Sequence, residues 1–328
     1  MATTLLRPDP TVYRSPTALS PKSASSHQAA QIIGSANTRM LAKTTSTLIY
    51  VASSLALDAN PQLGGRRTGK SAIFRGPHMR VAELRVHRGL LSLARDYVSL
   101  LKLRIVVLLV ATAVGVMPPA AHGLRPGMVV LAVILGGSFA AGGAHAINCW
   151  FDRDIDAAMS RTRKRAVPAG RIPAWHALVL GIALNVVSFV VLWAGANLLA
   201  ALLALSGTLI YVFVYTVWLK RSTPQNIVIG GAAGAMPPLV GWAAVTGRLD
   251  LTAVSLFLVI FFWTPPHFWA LAQLMKTDYA RAGVPMLPVV AGERSAKRQS
   301  VVYAGLVVLA SLVPFFTGAA GALYLAGG

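Results

Sequence analysis

The chain has 328 residues, 55% of them hydrophobic and 12% charged, with a mean hydropathy of +0.62. So little charge excludes an ordinary soluble domain and points to a membrane protein. The formal net charge of +20 would suit a nucleic-acid binder, but the basic residues flank long apolar runs, which is what lipid anchoring and positive-inside topology require and what excludes that class.

Residues 1–95 read as a polar, basic leader. It carries Arg7, Arg14, Lys22, Arg39, Lys43, Arg66, Arg67, Lys70, Arg75 and Arg80, and Asp9 and Asp58 are its only acids before Glu83. Such acid-poor, Ser-rich composition suits a disordered tail and equally a transit peptide, and Met79 offers a third reading as the true start. The apolar stretch 47–57 is too short to cross a bilayer, which needs about 20 residues. A single cysteine, Cys149, excludes an intrachain disulfide and a cysteine metal cluster.

Residues 96–328 read as a membrane domain with seven apolar runs, at 98–121, 127–148, 175–194, 198–219, 227–247, 251–275 and 300–320. Lipid cannot satisfy backbone polar groups, so each run is expected to be a helix and the fold an all-α polytopic bundle. The loop after the second span carries Arg153, Arg161, Arg163, Lys164, Arg165 and Arg171. The loop after the fourth has Lys220 and Arg221, and that after the sixth has Lys276, Arg281, Arg294, Lys297 and Arg298. The alternate loops offer only Arg125 and Arg248, so the leader and the basic loops are expected on the cytoplasmic or matrix side. Gly137, Ala141 and Ala144 on span two, with Gly230 and Gly234 on span five, set small residues one turn apart for close helix contact. The pairs Pro237-Pro238 and Pro265-Pro266 predict kinks in spans five and six.

The chemistry-bearing stretch begins where span two meets the aqueous interface. Asn148, Asp152 and Asp156 stand four residues apart, and a step of four on a helix turns about 400°, so the three share one face while Asp154 points away. Two like charges at this spacing repel, and a hard divalent cation reverses that sign. Mg²⁺ takes oxygen ligands, commonly one or two carboxylates, and completes its shell with water and phosphate. Arg161, Lys164 and Arg165 are suited to the rest of a diphosphate. The other reading is a solvated loop whose acids pair with neighbouring arginines. Asp278, after span six, faces the same compartment, so two Asp-bearing loops are placed to clamp a metal–diphosphate between them. No Walker A loop, Rossmann glycine fingerprint, His–Cys metal spacing or nucleophile elbow occurs in the sequence.

At these residues the chain resembles the UbiA-type intramembrane prenyltransferase superfamily, whose signature is N-x-x-x-D-x-x-x-D after the second helix. The string Asp152-Arg-Asp-Ile-Asp156 with Arg161-Thr162 and Arg165 resembles its heme O synthase branch. So do Lys220-Arg-Ser-Thr223-Pro-Gln-Asn226, Gly234-Ala-Met-Pro237-Pro238 through Gly241-Trp242, Pro265-Pro266-His267-Phe268-Trp269, and Asp278-Tyr279 through Pro288. The resemblance covers 97–310. It departs at Ala166, where the branch has proline, at Leu103, which replaces a proline between Lys102 and Arg104, and at Ala282, where other branches carry a further Asp. Relatives carry nine spans where seven are seen here.

The resemblance implies a central cavity, Mg²⁺ dependence, farnesyl diphosphate as donor and heme b (protoheme IX) as acceptor. Water addition to the farnesylated vinyl group would give heme O for terminal oxidase assembly. It also implies Asn148, Asp152, Asp156 and Asp278 as catalytic metal ligands, and Lys102, Arg104, Arg161, Arg165, Lys220 and Lys276 as diphosphate ligands. His267 stands either as a contact of the heme or its iron, or as a histidine bonded to backbone beside the proline kink. Heme A synthase or oxidase assembly factors are the implied partners beside the lipid bilayer, with no nucleic acid. The bacterial cytoplasmic membrane is the expected location, the mitochondrial inner membrane the alternative. Other readings stay open: another aromatic or tetrapyrrole acceptor, or a non-catalytic homologue short of two spans. A transporter fits less well, because the acids lie at helix ends on one side and no inverted repeat is visible.

Overall fold

Left-handed backbone at Lys102 (φ 51°, ψ 54°) parts the first two helices, α1 (Leu90–Leu100) and α2 (Leu103–Gly115), in the computed structural model, which describes residues 89–121 and 127–320. The first span therefore starts at Leu103, five residues later than its apolar run at 98 suggests, and includes the short α3 (Met117–Ala121). The leader reading for residues 1–88 lies outside the described residues, and α1 begins inside the leader's expected limit of 95. Six more helical stretches are long and apolar enough to cross a membrane. They are α4 (Gly127–Phe151), α6 (Ala174–Gly195), α7 (Leu198–Leu209) continued by a π-helix (Ile210–Leu219) and α8 (Lys220–Ser222), α9 (Asn226–Thr246), α10 (Leu251–Leu274) and α13 (Gly292–Phe316). Short helices α5 (Arg153–Ala158), α11 (Lys276–Arg281) and α12 (Leu287–Val290) lie in the loops. No strand occurs among the described residues. The protein is an all-α, multi-pass membrane bundle.

Helix ends follow their local chemistry. Asn197 accepts from Ala200 N–H at 2.9 Å and Asp250 from Ala253 N–H at 3.0 Å, capping α7 and α10. Gly247 closes α9 at φ 68°, a left-handed position that glycine takes without penalty. The last helix starts at Gly292, eight residues before its apolar run at 300, and Glu293 and Lys297 pair at 2.6 Å across its first turn.

Close helix contacts depend on glycine at particular places. A Cβ on Gly143 of α4 would meet the Gly181 carbonyl of α6 at 2.7 Å, and one on Gly181 would meet the Gly143 carbonyl at the same distance. A Cβ on Gly241 of α9 would stand 1.9 Å from the Ala113 carbonyl of α2. Gly230 leaves room for the Tyr215 ring. The sequence spacing had pointed to Gly230 and also to Gly137, whose Cβ would make an ordinary 3.5 Å contact with Val110, and to Gly234, which has nothing within 4 Å. Spacing identifies a small-residue stripe, but only the neighbouring helix decides which member is needed. The helical assignment runs unbroken through both proline pairs.

Two apolar clusters hold one end of the bundle together. Leu100 of α1, Cys149 and Trp150 of α4, and Ala166, Ile172 and Ala177 form the first. Ile155 and Met159 pack with Ala272, Val284 and Met286 in the second, fastening the segment after α4 to the segment after α10. Polar ties reinforce this end: Tyr97 Oη and His176 Nδ1 stand 2.5 Å apart, and Arg171 pairs with Asp96 at 3.0 Å.

Candidate active site

Helix α4 continues almost without interruption into α5, and Asp152 (φ −86°, ψ 13°) is the joint. Asp152 N–H donates to the Asn148 carbonyl at 2.9 Å and Asp156 N–H to the Asp152 carbonyl at 2.8 Å, so the four-residue spacing keeps the three side chains on one face. All three are buried, Asp152 completely. Asp154 turns outward to Arg221, at 2.6 and 2.7 Å. Partial burial would raise the Asp154 pKa, but the Arg221 hydrogen bonds and charge outweigh it and hold the carboxyl below its ordinary value.

A buried carboxylate needs compensation, and residues of α4, the π-helix and α8 supply it together with Lys102 and the loop after α5. Lys220, where the π-helix ends, pairs directly with Asp152 Oδ2, and Arg221 stands 3.6 Å from Oδ1. Asn148 Nδ2 donates to Asp152 Oδ2 at 2.6 Å and to Thr216 Oγ1 at 3.2 Å. Lys102 Nζ donates to Asn148 Oδ1 at 3.2 Å. Burial pushes the Lys102 ammonium below the usual lysine value, and the positive charges of Arg165 and Lys220 push the same way. Arg165 NH1 reaches both oxygens of Asp156, at 2.9 and 2.8 Å. Thr162 Oγ1 donates to the Asp156 carbonyl at 2.9 Å and turns the chain back under the site.

Asp278, in α11, is tied to the loop that follows α5. Ser160 Oγ donates to Asp278 Oδ2 at 2.6 Å, and Arg281 donates to Oδ1 at 3.1 Å. Hydrogen bonds from the Ser160 side chain and backbone, and after them the charge of Arg281, hold the Asp278 carboxyl below its ordinary value. Arg104, Arg161 and Lys276 are exposed. His267 lies between Trp263, stacked at 4.3 Å, and Phe268, edge-on at 5.3 Å.

Some members of the network were not foreseen from sequence. Arg221 adjoins Lys220 in a basic pair that reads as a topology signal. Ser160 is a serine 118 positions from its partner. Thr216 and Tyr211 reach the site through the π-helix. With about 4.4 residues per turn, Tyr211, Tyr215 or Thr216, and Lys220 share a face, and an α-helical period does not predict that.

Among the described residues no three His, Cys, Asp or Glu side chains stand close enough to form a self-sufficient metal cage. Asp152 Oδ1, however, is buried without a hydrogen-bond partner. That oxygen, with Arg221 at 3.6 Å as its ion-pair contact, and the side-chain oxygens of Asn148 and Asp156 on the same helical face make an oxygen-only donor set, which fits a small hard cation that keeps water and phosphate in its shell.

The sequence profile of the UbiA prenyltransferase family matches residues 108–328. Over 234 residues the chain is 56% identical to the protoheme IX farnesyltransferase of Symbiobacterium thermophilum, covering 71% of this chain and 78% of that protein. Over 230 residues it is 56% identical to that of Gloeobacter violaceus, covering 70% and 75%. It is 55% identical to that of a Roseiflexus species over 71% of this chain, but spans only 44% of that longer relative. Two solved structures share the fold. One is reported for digeranylgeranylglyceryl phosphate synthase in membranes (TM-score 0.60, 21% identity, 71% of this chain and 81% of that one). The other is a UbiA homolog from Archaeoglobus fulgidus bound to DMAPP and Mg²⁺ (TM-score 0.53, 19% identity, 68% and 78%).

Proposed function

The chain belongs to the UbiA prenyltransferase family, and from that premise we propose that it transfers the farnesyl group of farnesyl diphosphate to a vinyl group of heme b, with addition of water, to give heme O. The reading is supported by the protoheme IX farnesyltransferases that it matches at 56% identity over most of both chains. The single observation that carries it is the buried Asn148–Asp152–Lys220 cluster at the end of a lipid-embedded helix, with one Asp152 oxygen left without a hydrogen bond.

Mg²⁺ bound by Asn148, Asp152, Asp156 and Asp278 would supply positive charge to the leaving diphosphate. Lys102, Arg165 and Lys220, with Arg104, Arg161 and Lys276 around the rim, bind and orient the diphosphate oxygens. Asn148 is held by Lys102 and Thr216 and keeps Asp152 in register. The apolar bundle beyond α4 keeps water from an allylic cation until the acceptor has attacked. His267, stacked on Trp263, is assigned to the acceptor side. Heme A synthase or oxidase assembly factors would receive the product. The basic loops lie on the cytoplasmic side of a bacterial inner membrane in this reading.

Membranes containing the chain, incubated with heme b, farnesyl diphosphate and Mg²⁺, are expected to yield heme O by mass spectrometry. Asp152→Ala is expected to lower that yield at least 100-fold while the protein still inserts and purifies. Undiminished heme O from Asp152→Ala would overturn the assignment.

A further inference from the structure

His145 lies on α4 three residues before Asn148 and seven before Asp152, on the same helical face but one turn deeper in the membrane. It is buried, with 7% of its surface exposed. Its Nδ1 stands 3.3 Å from Tyr211 Oη, and the two rings meet edge-on at 5.4 Å. With the phenol donating to Nδ1, the imidazole proton sits on Nε2. Nε2 is buried without a hydrogen-bond partner among the described residues. The charges that bear on this ring are those of Lys102 and Arg165, both positive. A desolvated N–H in a cationic surround is suited to an anionic or strongly accepting oxygen.

The order along the face says which oxygen. Asp156 and Asp152 lie toward water, Asn148 follows, and His145 is innermost. A prenyl diphosphate held at Asp152 must direct its hydrocarbon tail into the apolar interior. The oxygen bridging its α-phosphorus and C1 is then the innermost polar atom. We infer that His145 Nε2–H donates a hydrogen bond to this bridging oxygen, making His145 a further catalytic residue that stabilises the leaving group. The C1–O bond breaks heterolytically, its electron pair stays on the diphosphate, and His145 keeps its proton throughout. Tyr211 is the positioning residue, brought onto this face by the π-helix and stacked on Tyr215 at 5.7 Å. The inference rests on the prenyl-transfer reading above and adds a residue to it.

The test uses the purified full chain with two donors, farnesyl diphosphate and its thiolo analogue, in which sulfur replaces the bridging oxygen and accepts hydrogen bonds weakly. With farnesyl diphosphate, His145→Phe is expected to lower kcat about 10- to 100-fold, the range of one hydrogen bond to developing charge, with KM changed less than about threefold. With the thiolo donor the same variant should lose little beyond the wild type. His145→Gln, which keeps an N–H of similar reach, should recover most of the rate. Equal fold-losses on both donors, a change confined to KM, or no recovery by His145→Gln would each overturn the inference. If His145→Phe does not fold, the donor comparison between His145→Gln and Tyr211→Phe decides in the same way: a loss specific to the oxygen donor in Tyr211→Phe sustains it, and an equal loss sinks it. A wild-type chain that makes no heme O sinks the prenyl-transfer reading itself. An active wild type with an indifferent His145 sinks only this inference.

Discussion

At the scale of single residues, the site is a buried charge cluster whose members cannot be removed one at a time without cost. Lys220 compensates Asp152, and both side chains are largely out of solvent, at 14% and 1% exposure. Breaking one side of a buried pair typically costs about 3–5 kcal/mol. Lys220→Met is therefore expected to lower the melting temperature of the detergent-solubilised protein markedly. Lys220→Met with Asp152→Asn removes both charges and should recover most of that temperature but none of the activity. Recovery of both, seen by thermal scanning beside the heme O assay, would mean that the pair is structural only. The acids of this cluster were legible in the sequence because two carboxylates at helical spacing on a membrane boundary have no folding rationale. Their neutral and basic neighbours were less so. Arg221 resembles any interfacial arginine until its contacts with Asp152 and Asp154 are seen.

At the scale of elements, helix identity was legible from apolar length, and helix register was not. A glycine stripe looks the same on every face, but the packing separates Gly241, pressed on the Ala113 carbonyl, from Gly234, facing open space. Gly241→Ala is expected to destabilise by at least the 1–3 kcal/mol typical of overpacking, with loss of folded protein on size-exclusion chromatography, whereas Gly234→Ala should be neutral. The π-helix likewise leaves no signature in composition, and it brings Tyr211 onto the face of Thr216 and Lys220, which hold Asn148 and Asp152. Between elements, the Ser160–Asp278 hydrogen bond joins the loops after α4 and α10. The folded Asp278 pKa lies below its ordinary 3.8. Its stabilising contribution is therefore complete above that value and fades as pH falls through the depressed one. Hydrogen exchange of segment 276–283 should accelerate across that acid window, and Ser160→Ala should move the onset to higher pH. An unchanged onset would show that the serine does not set it.

At the scale of the whole molecule, the seven spans among the described residues and an alternating distribution of basic loops describe a chain with one charged end. Cys149 is the sequence's single cysteine, so Cys149→Ala gives a clean background for side-specific labelling. Arg163→Cys and Arg248→Cys in that background are expected to react with an impermeant maleimide from opposite sides of sealed vesicles, Arg163→Cys from the cytoplasmic side. Labelling of both from one side would refute the proposed topology. The arginines that mark this end have a second occupation: Arg165 holds Asp156, Arg171 holds Asp96 and Arg221 holds Asp154. Address and tool are thus written in the same letters. A mutation that erases enough positive charge to turn the chain over in the bilayer also unpicks the carboxylate lattice. An inverted copy produced through those three arginines would arrive already disarmed.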